Sequence, residues 1–387
     1  MNILYLASFA TKDILSKYPN RGIDIYKVSE FLVQGFREKD DVNLKVVTSP
    51  DLPKYPKFPE FYIKHRIVDD VELVSSLNIA IIRQIWTIFS MFFTCSRFVR
   101  KNQDKTYLII PYMMFRHVIA SRLLKLIHRN KLHVCTIVPD VFFYEKKQWV
   151  NYYSNKLTEY LTKKSDSFVL YTEAMADYLE IRKKPFIVME GCIDPEINNR
   201  VIRSNNCEKK TIVYTGSLFK KYGICRLVDA MQYINDVNVD LLLYGAGDAV
   251  EYIQQAGVKD GRIKYMGLVS KNDTIVIQNS ASVLVNPRNS DDGEFTKYSC
   301  PSKILEYMLT GTPTVICWLP GIPAVYYEYL IVAEDNSIKS LADAINKALY
   351  LSASEKNKYE AARNLVISRT SYWQCCNRII KLMKSKN

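Results

Sequence analysis

The amino-acid sequence predicts an α/β protein with two Rossmann-like domains that face an interdomain cleft. Short apolar runs alternate with longer runs of helical periodicity, which is the pattern of parallel α/β sheets. A polar, irregular segment at 194–210 interrupts the alternation, which then starts again. The chain has 387 residues, enough for two domains of ordinary size.

The first half of the chain contains the elements of one such domain, which we assign to residues 1–195. Apolar runs predict strands, and runs with a 3.6-residue period predict helices. The strands are expected at 2–7, 44–48, 107–111, 132–138 and 167–171, and the helices at 26–39, 77–101, 116–129 and 151–164.

The second half repeats this arrangement, and we assign the second domain to residues 209–369. Strands are expected at 211–214, 240–244, 263–266, 281–286 and 314–317, with a helix at 224–234. Parallel α/β sheets bind ligands beyond the carboxyl ends of their strands. Polar residues that follow these strands are therefore candidates for a binding site.

The composition indicates an anionic partner and a reducing compartment. The 53 Lys and Arg residues exceed the 40 Asp and Glu residues, which gives a net charge of +13 and favours nucleotides, phosphorylated substrates or acidic membranes. We expect no nucleic-acid binding, because the sequence has no aromatic-rich binding motif and no basic run. The nine cysteines show no metal-like spacing, and the N-terminus reads as a strand, not a signal peptide, so we expect a cytoplasmic protein.

A segment at 299–313 predicts an anion site at the start of a helix. Pro301 fits the first helical turn, and one of the two preceding residues is expected to cap it. Ser302, Lys303 and Glu306 then lie near the N-terminal end, where free backbone N–H groups and the helix dipole favour anions. Glu306 could accept two hydrogen bonds from a ribose diol. The alternative is an ordinary capped helix with solvated Lys303 and Glu306.

The same segment resembles the donor-binding helix of the GT-B glycosyltransferases, specifically family 4 of the retaining enzymes. The pattern Pro-Ser-Lys-x-Leu-Glu-Tyr-Met-x-x-Gly-Thr-Pro at 301–313 is close to a form found in bacterial surface-polysaccharide transferases of that family. Residues 213–224, 242–248 and 265–269 resemble three further landmarks of the family. The resemblance covers about 211–350 well and the first half loosely.

The resemblance implies an enzyme that moves a sugar from a nucleoside-diphosphate sugar to a hydroxyl of a glycan or lipid-linked acceptor. It further implies retention of configuration, a role in bacterial surface polysaccharide biosynthesis, and packing of segment 370–387 back onto the first domain. Members of the family stabilise the leaving diphosphate with basic side chains and helix N-termini, so we expect no metal and no cofactor. The donor-binding residues that the resemblance indicates are Gly216, Ser217, Lys220, Lys221, Gly245, Gly247, Leu268, Val269, Arg288, Tyr298, Ser299, Pro301, Ser302, Lys303 and Glu306.

The sequence departs from the family pattern at three positions. The family usually carries an Arg and a Lys where this chain has Ser217 and Tyr222, so Lys220, Lys221 or Arg288 would have to supply the lost charge. Tyr298 occupies the place of the first of two paired glutamates, of which Glu306 matches the second. Glu294, on a neighbouring loop, is expected to contact the sugar hydroxyls instead.

Asp291, Asp292 and Glu294 could also suggest a cation site, because hard cations favour clustered carboxylates. We favour a solvated acidic loop.

The first half offers fewer candidate residues, which the resemblance assigns to the diphosphate and the acceptor. Gly22 could let the backbone approach the diphosphate, or it could be a plain surface turn. Asp140 follows a predicted strand and could orient or deprotonate an acceptor hydroxyl, or it could cap a helix. Glu173 is a weaker candidate of the same kind. We name Asp140, Lys303 and Glu294 as the candidate catalytic residues.

Two predicted helices bear on membrane contact. Segment 79–101 is apolar almost all round, and segment 116–133 is rich in Arg, Lys and His. A basic and aromatic surface of this kind can bind an anionic leaflet from the cytoplasmic side. The alternative is a buried core helix beside a solvated one. Segment 79–99 is interrupted by polar residues and falls short of a membrane-spanning helix.

Two other functions remain open from the sequence. Nucleotide-sugar epimerases can share the same two-domain fold, and they would release a 2-epimer without any acceptor. A non-catalytic partner of an active transferase would bind nucleotide without transferring sugar, and the departures at Ser217, Tyr222 and Tyr298 motivate that alternative.

Overall fold

The computed structural model describes residues 1–17, 27–142, 149–196 and 209–385. These residues divide into two compact units. The N-terminal unit comprises Met1–Cys192 together with Tyr372–Asn387, and the C-terminal unit comprises Ile193–Ser371. The fold class predicted from the sequence is confirmed, because each unit is a Rossmann-like α/β domain built on a parallel sheet.

The N-terminal unit has, in its described residues, an eight-stranded sheet and a small two-stranded one. The strands are β1 (Asn2–Ala7), β2 (Asn43–Thr48), β3 (Tyr62–Ile63), β4 (Arg66–Val68), β5 (Val71–Leu73), β6 (Ser76–Leu77), β7 (Thr106–Ile110), β8 (Leu132–Val138), β9 (Ser167–Leu170) and β10 (Phe186–Val188). The large sheet has the order β10-β9-β8-β7-β1-β2-β5-β4, and β3 pairs with β6. Strand β4 runs antiparallel at the edge of the large sheet.

Helices cover both faces of this sheet. They are α1 (Lys12–Lys17), α2 (Lys27–Arg37), α3 (Ala80–Lys101), α4 (Phe115–Ile127), α5 (Trp149–Thr162), α6 (Ala174–Tyr178) and, from the end of the chain, α14 (Tyr372–Lys384). Helix α14 buries Cys375, Cys376 and Ile379 in the same core as Leu32 and Phe36 of α2. The two helices pack closely, and the Cys376 thiol donates to the Leu32 carbonyl at 3.4 Å.

The C-terminal unit has, in its described residues, a six-stranded parallel sheet. Its strands are β11 (Lys210–Thr215), β12 (Val239–Tyr244), β13 (Ile263–Gly267), β14 (Val283–Asn286), β15 (Thr314–Ile316) and β16 (Ile331–Val332), in the order β13-β12-β11-β14-β15-β16. This is the 3-2-1-4-5-6 order of dinucleotide-binding sheets. Its helices are α7 (Ile224–Ala230), α8 (Val250–Lys259), α9 (Lys271–Ser280), α10 (Ser302–Thr310), α11 (Ala324–Tyr327), α12 (Ile338–Leu349) and α13 (Ala353–Thr370).

Burial on both faces explains why the strands of this sheet are nearly continuous apolar runs. In β14, for example, Val283 and Val285 pack with the α7 and α12 helices, while Leu284 points to the other side, against Tyr307 of α10. Because α10 and the adjacent strands share this core, the position of α10 over the sheet is fixed by packing.

Two predicted helices differ from those in the structure. Helix α7 ends at Ala230 and continues as a 3-10 turn at Met231–Tyr233, so the predicted helix 224–234 is too long. Helix α3 begins at Ala80, three residues later than predicted, because Ser76–Leu77 pairs with β3.

Three basic side chains of α4 contact neighbouring elements of the N-terminal unit, which argues against the alternative of a solvated helix. Arg116 is buried and donates to the Ser49 carbonyl at 3.0 Å. Arg122 donates to the Lys164 carbonyl at 2.7 Å, and the Lys125 ammonium pairs with the Asp166 carboxylate at 2.9 Å. These three cations hold the helix to neighbouring elements because buried or half-buried charges need partners.

Candidate functional site

The candidate site lies at the carboxyl ends of the strands of the C-terminal unit. Gly216 follows β11, Gly245 follows β12, and Arg288 stands two residues after β14. Strand β11 lies between β12 and β14, so these residues surround the position where the strand order reverses. Crevices at such switch points bind ligands in open α/β sheets.

The loops after β11 and β12 pack backbone against backbone. The Gly216 N–H donates to the Tyr244 carbonyl at 2.9 Å, and a Cβ placed on Gly245 would lie 1.7 Å from the Gly216 oxygen. Both glycines have φ of +141°, which side-chain-bearing residues rarely adopt. A Cβ on Gly247 would lie 2.2 Å from the Leu218 carbonyl. The sequence of these loops is therefore dictated by their close approach.

The first turn of α10 lies over the Gly216 loop. A Cβ on Gly216 would lie 3.2 Å from Lys303 Cε. The Lys303 ammonium pairs with the Glu306 carboxylate at 2.7 Å, and the two side chains are 30% and 38% exposed. Ser302 is exposed beside them. The structure thus brings one cation, one hydroxyl and one glycine loop together at a helix N-terminus.

The N-terminus of α10 has no side-chain cap, which overturns the expected capping by Ser299 or Cys300. The N-cap position is Pro301 itself, whose side chain has no hydrogen-bonding group. The first N–H groups of a helix have no partner within the helix. The Ile304 N–H donates to the Pro301 carbonyl at 3.0 Å. The Ser302 and Lys303 N–H groups have no side-chain cap, so these two donors can bind an anion.

Tyr307 anchors α10 to the end of β11 and was missed by sequence reasoning. Its hydroxyl accepts from the Thr215 N–H at 3.0 Å and donates to the Thr215 carbonyl at 3.3 Å. Gln278 of α9 donates to the Thr215 hydroxyl at 2.8 Å. Burial raises the pKa of Tyr307 well above its usual value, so the hydroxyl stays neutral. The signal available in sequence was a Tyr on the core side of a helix that also carries polar site residues.

Arg288 is held by aromatic rings beside the Gly216 loop. Its guanidinium lies 4.1 Å from the centre of the Tyr222 ring and 5.3 Å from that of Phe295. Its Nη1 donates to the Ser299 hydroxyl at 3.4 Å. Burial raises the pKa of Tyr214, whose hydroxyl donates to the Ser217 carbonyl, and the Arg288 charge acts in the opposite direction. Arg288 is therefore half-buried and preorganised.

Lys220 and Lys221 are both exposed, in a 3-10 turn after the loop. The Lys221 ammonium lies 5.2 Å from the centre of the Tyr222 ring. The Lys220 backbone N–H donates to Asp248 at 2.7 Å and ties this turn to the loop after β12. Of the three cations proposed to replace the family's missing charge, Arg288 has the most restricted side chain.

Two of the three acidic side chains in the loop at 291–294 make contacts that hold the loop in place. Asp292 pairs with Arg226 at 2.9 Å and accepts from the Asn289 N–H at 2.8 Å. Asp291 accepts from the Asn336 amide at 2.8 Å. Glu294 is exposed at the start of a short 3-10 turn that ends at Tyr298. Within the described ranges, no group of three or more His, Cys, Asp or Glu side chains is arranged to hold a metal ion.

Leu268 and Val269 follow β13 at the same edge of the sheet. Leu268 is 78% exposed, whereas Val269 packs against the cluster that contains Tyr244 and Tyr307. Tyr298 is half-buried. All the donor-site residues predicted in the second half thus lie in loops at, or on the helix beside, the carboxyl edge of one sheet.

The candidates of the N-terminal unit are more dispersed. Asp140 is exposed two residues after the end of β8. Glu173 precedes α6 and pairs with Arg182 at 3.0 Å, so its carboxylate has a structural partner. Gly22 lies outside the described residues.

Residues 209–350 match the family model described as Glycosyl transferases group 1. This segment is a group 1 glycosyltransferase domain. The domain spans all the donor-site candidates except Gly22. No curated protein matches the chain. Among the described helices, none combines the length and apolar character that crossing a bilayer requires.

Solved structures with this fold cover nearly the whole chain. Sucrose-phosphate synthase from Thermosynechococcus elongatus is 14% identical with a TM-score of 0.64, over 99% of this chain and 98% of that one. HepE from Anabaena, in complex with UDP, is 13% identical with a TM-score of 0.67, over 100% of both chains. An E. coli structure bound with UDP-2-fluoro glucose is 11% identical with a TM-score of 0.61, over 100% of both. These similarities establish the GT-B fold.

Proposed function

We propose that the protein is a glycosyltransferase that takes its sugar from a nucleoside-diphosphate sugar. The observation that carries this proposal is the position of Lys303. The side chain lies over the Gly216 loop and beside an uncapped helix N-terminus, and Arg288 is held next to the same loop. Two cations and a set of free backbone donors at one switch point fit a diphosphate.

The same groups would stabilise the departing diphosphate. Negative charge develops on the phosphate oxygens as the bond to the sugar breaks, and donors already fixed in place lower that barrier. Lys303 and Arg288 supply full charges, while Ser302 and the first N–H groups of α10 supply hydrogen bonds. Glu306, one turn further on, would accept hydrogen bonds from the ribose hydroxyls.

We infer that transfer proceeds with retention and by front-side attack. In this step the bond between the sugar C1 and the diphosphate oxygen breaks, the bond from C1 to the acceptor oxygen forms on the same face, and the acceptor proton passes to the diphosphate. Glu294 is our candidate for contacting the sugar hydroxyls, and Asp140 for orienting the acceptor hydroxyl. The step uses basic side chains and helix donors and draws on no metal or cofactor.

The acceptor that we propose is a hydroxyl of a glycan or lipid-linked glycan in the synthesis of bacterial surface polysaccharide. The motif at 301–313 supports this because it is close to the form found in such transferases. A lipid-linked acceptor would place the reaction in the cytoplasm, at the inner face of the cell membrane. UDP-sugars are the first donors to test, because UDP and UDP-2-fluoro glucose were bound in two of the similar structures.

A thermal-shift panel of UDP-, GDP-, ADP- and dTDP-sugars tests the proposal, with Lys303→Ala as the control. We expect one nucleotide class to stabilise the wild-type protein and to lose that effect in the variant. A sugar nucleotide that binds should then be consumed only when an acceptor is present. Release of a 2-epimer without acceptor, or nucleotide binding with no transfer to any acceptor, would contradict glycosyl transfer.

A further inference from the structure

Helix α3 presents an apolar stripe to solvent on the N-terminal unit. Five of its side chains are between 41% and 63% exposed, and they recur every three or four residues, so they share one face. They are Ile82, Ile85, Trp86, Phe89 and Phe93. Large exposed apolar side chains that adjoin one another mark an interaction surface, whereas single ones do not.

The stripe is held in this orientation by the opposite face of the helix. Ile88, Met91 and Cys95 are buried in the core that covers one side of the large sheet. Buried Arg83 donates to the Pro50 carbonyl at 2.8 Å, which fixes the rotation of the first turn. The indole N–H of Trp86 donates to the Ser75 hydroxyl at 3.2 Å. The stripe therefore cannot turn inward without breaking this packing.

Aromatic residues of a neighbouring strand extend the stripe at its N-terminal end. Tyr62 of β3 meets Trp86 edge to face, with ring centres 6.5 Å apart, and its side chain is itself exposed. Phe61 is exposed beside it in the chain. Trp and Tyr are enriched where proteins meet the boundary between water and lipid, because one end of the ring is apolar and the other is polar.

The C-terminal end of the stripe is basic. Arg97, Arg100 and Lys101 are exposed on the last turns of α3. The Ser96 hydroxyl and the His128 ring lie 2.7 Å apart, which brings the end of α4 to the same place. Burial, Arg100 and Lys131 all lower the pKa of His128, so these charges lie close together.

The end of α4 contributes apolar and basic side chains of its own. Leu126 and Ile127 are 78% and 58% exposed, and Arg129 and Lys131 follow them at the surface. Segments 96–103 and 126–131 contain no acidic residue; Asp104 is the first one after α3.

We propose that this surface, from Phe61 and Tyr62 along the α3 stripe to the basic ends of α3 and α4, binds the face of a bilayer that contains anionic phospholipid. Apolar side chains would enter the boundary between headgroups and acyl chains, while the flanking cations pair with phosphate groups. Charge selects this occupant over a second copy of the chain, because two such basic ends repel each other whereas an anionic leaflet attracts them. The proposal does not depend on the reaction assigned to the C-terminal unit.

Flotation of the full chain with lipid vesicles tests the proposal. Vesicles of phosphatidylethanolamine with 30% phosphatidylglycerol serve as the anionic probe, and pure phosphatidylcholine vesicles serve as the neutral one. We expect the wild-type protein to float with anionic vesicles at low salt, to bind neutral vesicles at least tenfold more weakly, and to dissociate as salt is raised.

Two double variants separate the apolar and basic contributions. Phe89→Ser with Phe93→Ser should lower the partition coefficient at least tenfold. Arg97→Gln with Arg100→Gln should lower it about fivefold for each charge removed, on anionic vesicles alone. A matched control changes an exposed apolar and an exposed basic residue of the other unit, Val258→Ser with Lys259→Gln, and should bind as the wild type does.

A far-UV circular dichroism spectrum and a thermal unfolding profile that match those of the wild type show that each variant is folded. The proposal is overturned if the folded wild-type protein fails to float with anionic vesicles at low salt, or if either double variant floats as well as the control. Self-association that depends on Phe89 and Phe93, in the absence of vesicle binding, would identify a second copy as the occupant instead and would also overturn it.

Discussion

The Lys303 ammonium and the Glu306 carboxylate lie 2.7 Å apart on the partly exposed side of the first turns of α10. A half-exposed pair of this spacing stabilises a helix by only about 0.2–0.5 kcal/mol. A diphosphate carries more than one negative charge and also reaches the helix N–H groups. It can therefore draw Lys303 away from Glu306 and leave that carboxylate free for ribose hydroxyls.

Lys303 and Glu306 should have separable effects on ligand binding. Removing Lys303 takes away a charge-assisted bond worth about 1.5–3 kcal/mol, so Lys303→Ala should weaken both UDP and inorganic pyrophosphate by about 10- to 100-fold. Glu306→Gln should weaken UDP but leave pyrophosphate binding unchanged or tighter, since the competing carboxylate charge is gone. Calorimetric titration of both variants with both ligands measures this. If Glu306→Gln lost affinity equally for UDP and for pyrophosphate, the proposed contact between Glu306 and the ribose would be contradicted.

Glycine at position 245 should be indispensable for the shape of the site. A Cβ there would lie 1.7 Å from the Gly216 oxygen, on a backbone with φ of +141°. Gly245→Ala should therefore cost at least about 1–3 kcal/mol in the free energy of unfolding and weaken UDP at least tenfold. Gly261→Ala is the matched control, because a Cβ there meets nothing within 4 Å. Urea unfolding and UDP titration give both quantities, and similar behaviour of the two variants would refute the packing argument.

Tyr307 should act through the end of β11. Tyr307→Phe removes the hydroxyl that bonds both backbone groups of Thr215 and leaves a buried N–H unpaired, at a cost of about 1–3 kcal/mol. Tyr350→Phe makes the same chemical change where the hydroxyl meets Asp236 at the surface, and it should alter stability by less than about 0.5 kcal/mol. Equilibrium unfolding compares the two. If Tyr307 only positions the Gly216 loop, KM for the donor should rise more than kcat falls.

Arg288 should supply the charge that the family places at position 222. Arg288→Ala should lower kcat/KM by about 10- to 100-fold, and Arg288→Lys should restore part of it, because an ammonium lacks the planar fork that stacks on Tyr222. Adding Tyr222→Lys to Arg288→Ala should recover activity if the two positions share one role. Kinetics at varied donor concentration measure this, and no recovery in the double variant would separate the roles.

Acid should destabilise the N-terminal unit between pH 6.5 and about 4. Burial lowers the pKa of His133 to about 4, although Asp166 opposes the shift, and burial also lowers the pKa of His117 and His128. In this window the unfolded chain binds more protons than the folded chain. The contribution of each histidine to the free energy of unfolding is therefore fully present above pH 6.5 and is lost as pH falls, by at most about 1.4 kcal/mol per pH unit for each histidine. Urea unfolding at pH 7.5, 6.0 and 5.0 should show a shallower dependence for His133→Asn. An unchanged slope would exclude His133 as a source.

Periodicity predicted the large elements because their burial leaves a regular pattern in the sequence. Strands at 2–7 and 132–138 coincide with β1 and β8, since runs buried on both faces are continuous and easily bounded. The short strands β3 to β6 were not predicted, because two or three residues carry no period. The stacking of Arg288 on the Tyr222 ring and the hydrogen bonds between Tyr307 and Thr215 were not predicted either, because they join residues far apart in the chain. The sequence pattern placed Arg116 on a basic surface, but its side chain is buried. Its partner, the Ser49 carbonyl, is distant in the chain and cannot be identified from a local pattern.

Helix α14 imposes an order on the maturation of the chain. Its side chains complete the core of the N-terminal unit, although 179 residues of the other unit (193–371) separate them from the rest of that core. During synthesis the C-terminal unit has all its strands and helices once Ser371 has left the ribosome, so it can close its core first. The N-terminal unit, although made earlier, keeps the surface of α2 open until residues 372–385 appear. The N-terminal unit is therefore synthesised first but completes its fold last, and a truncation that removes α14 would destabilise this unit.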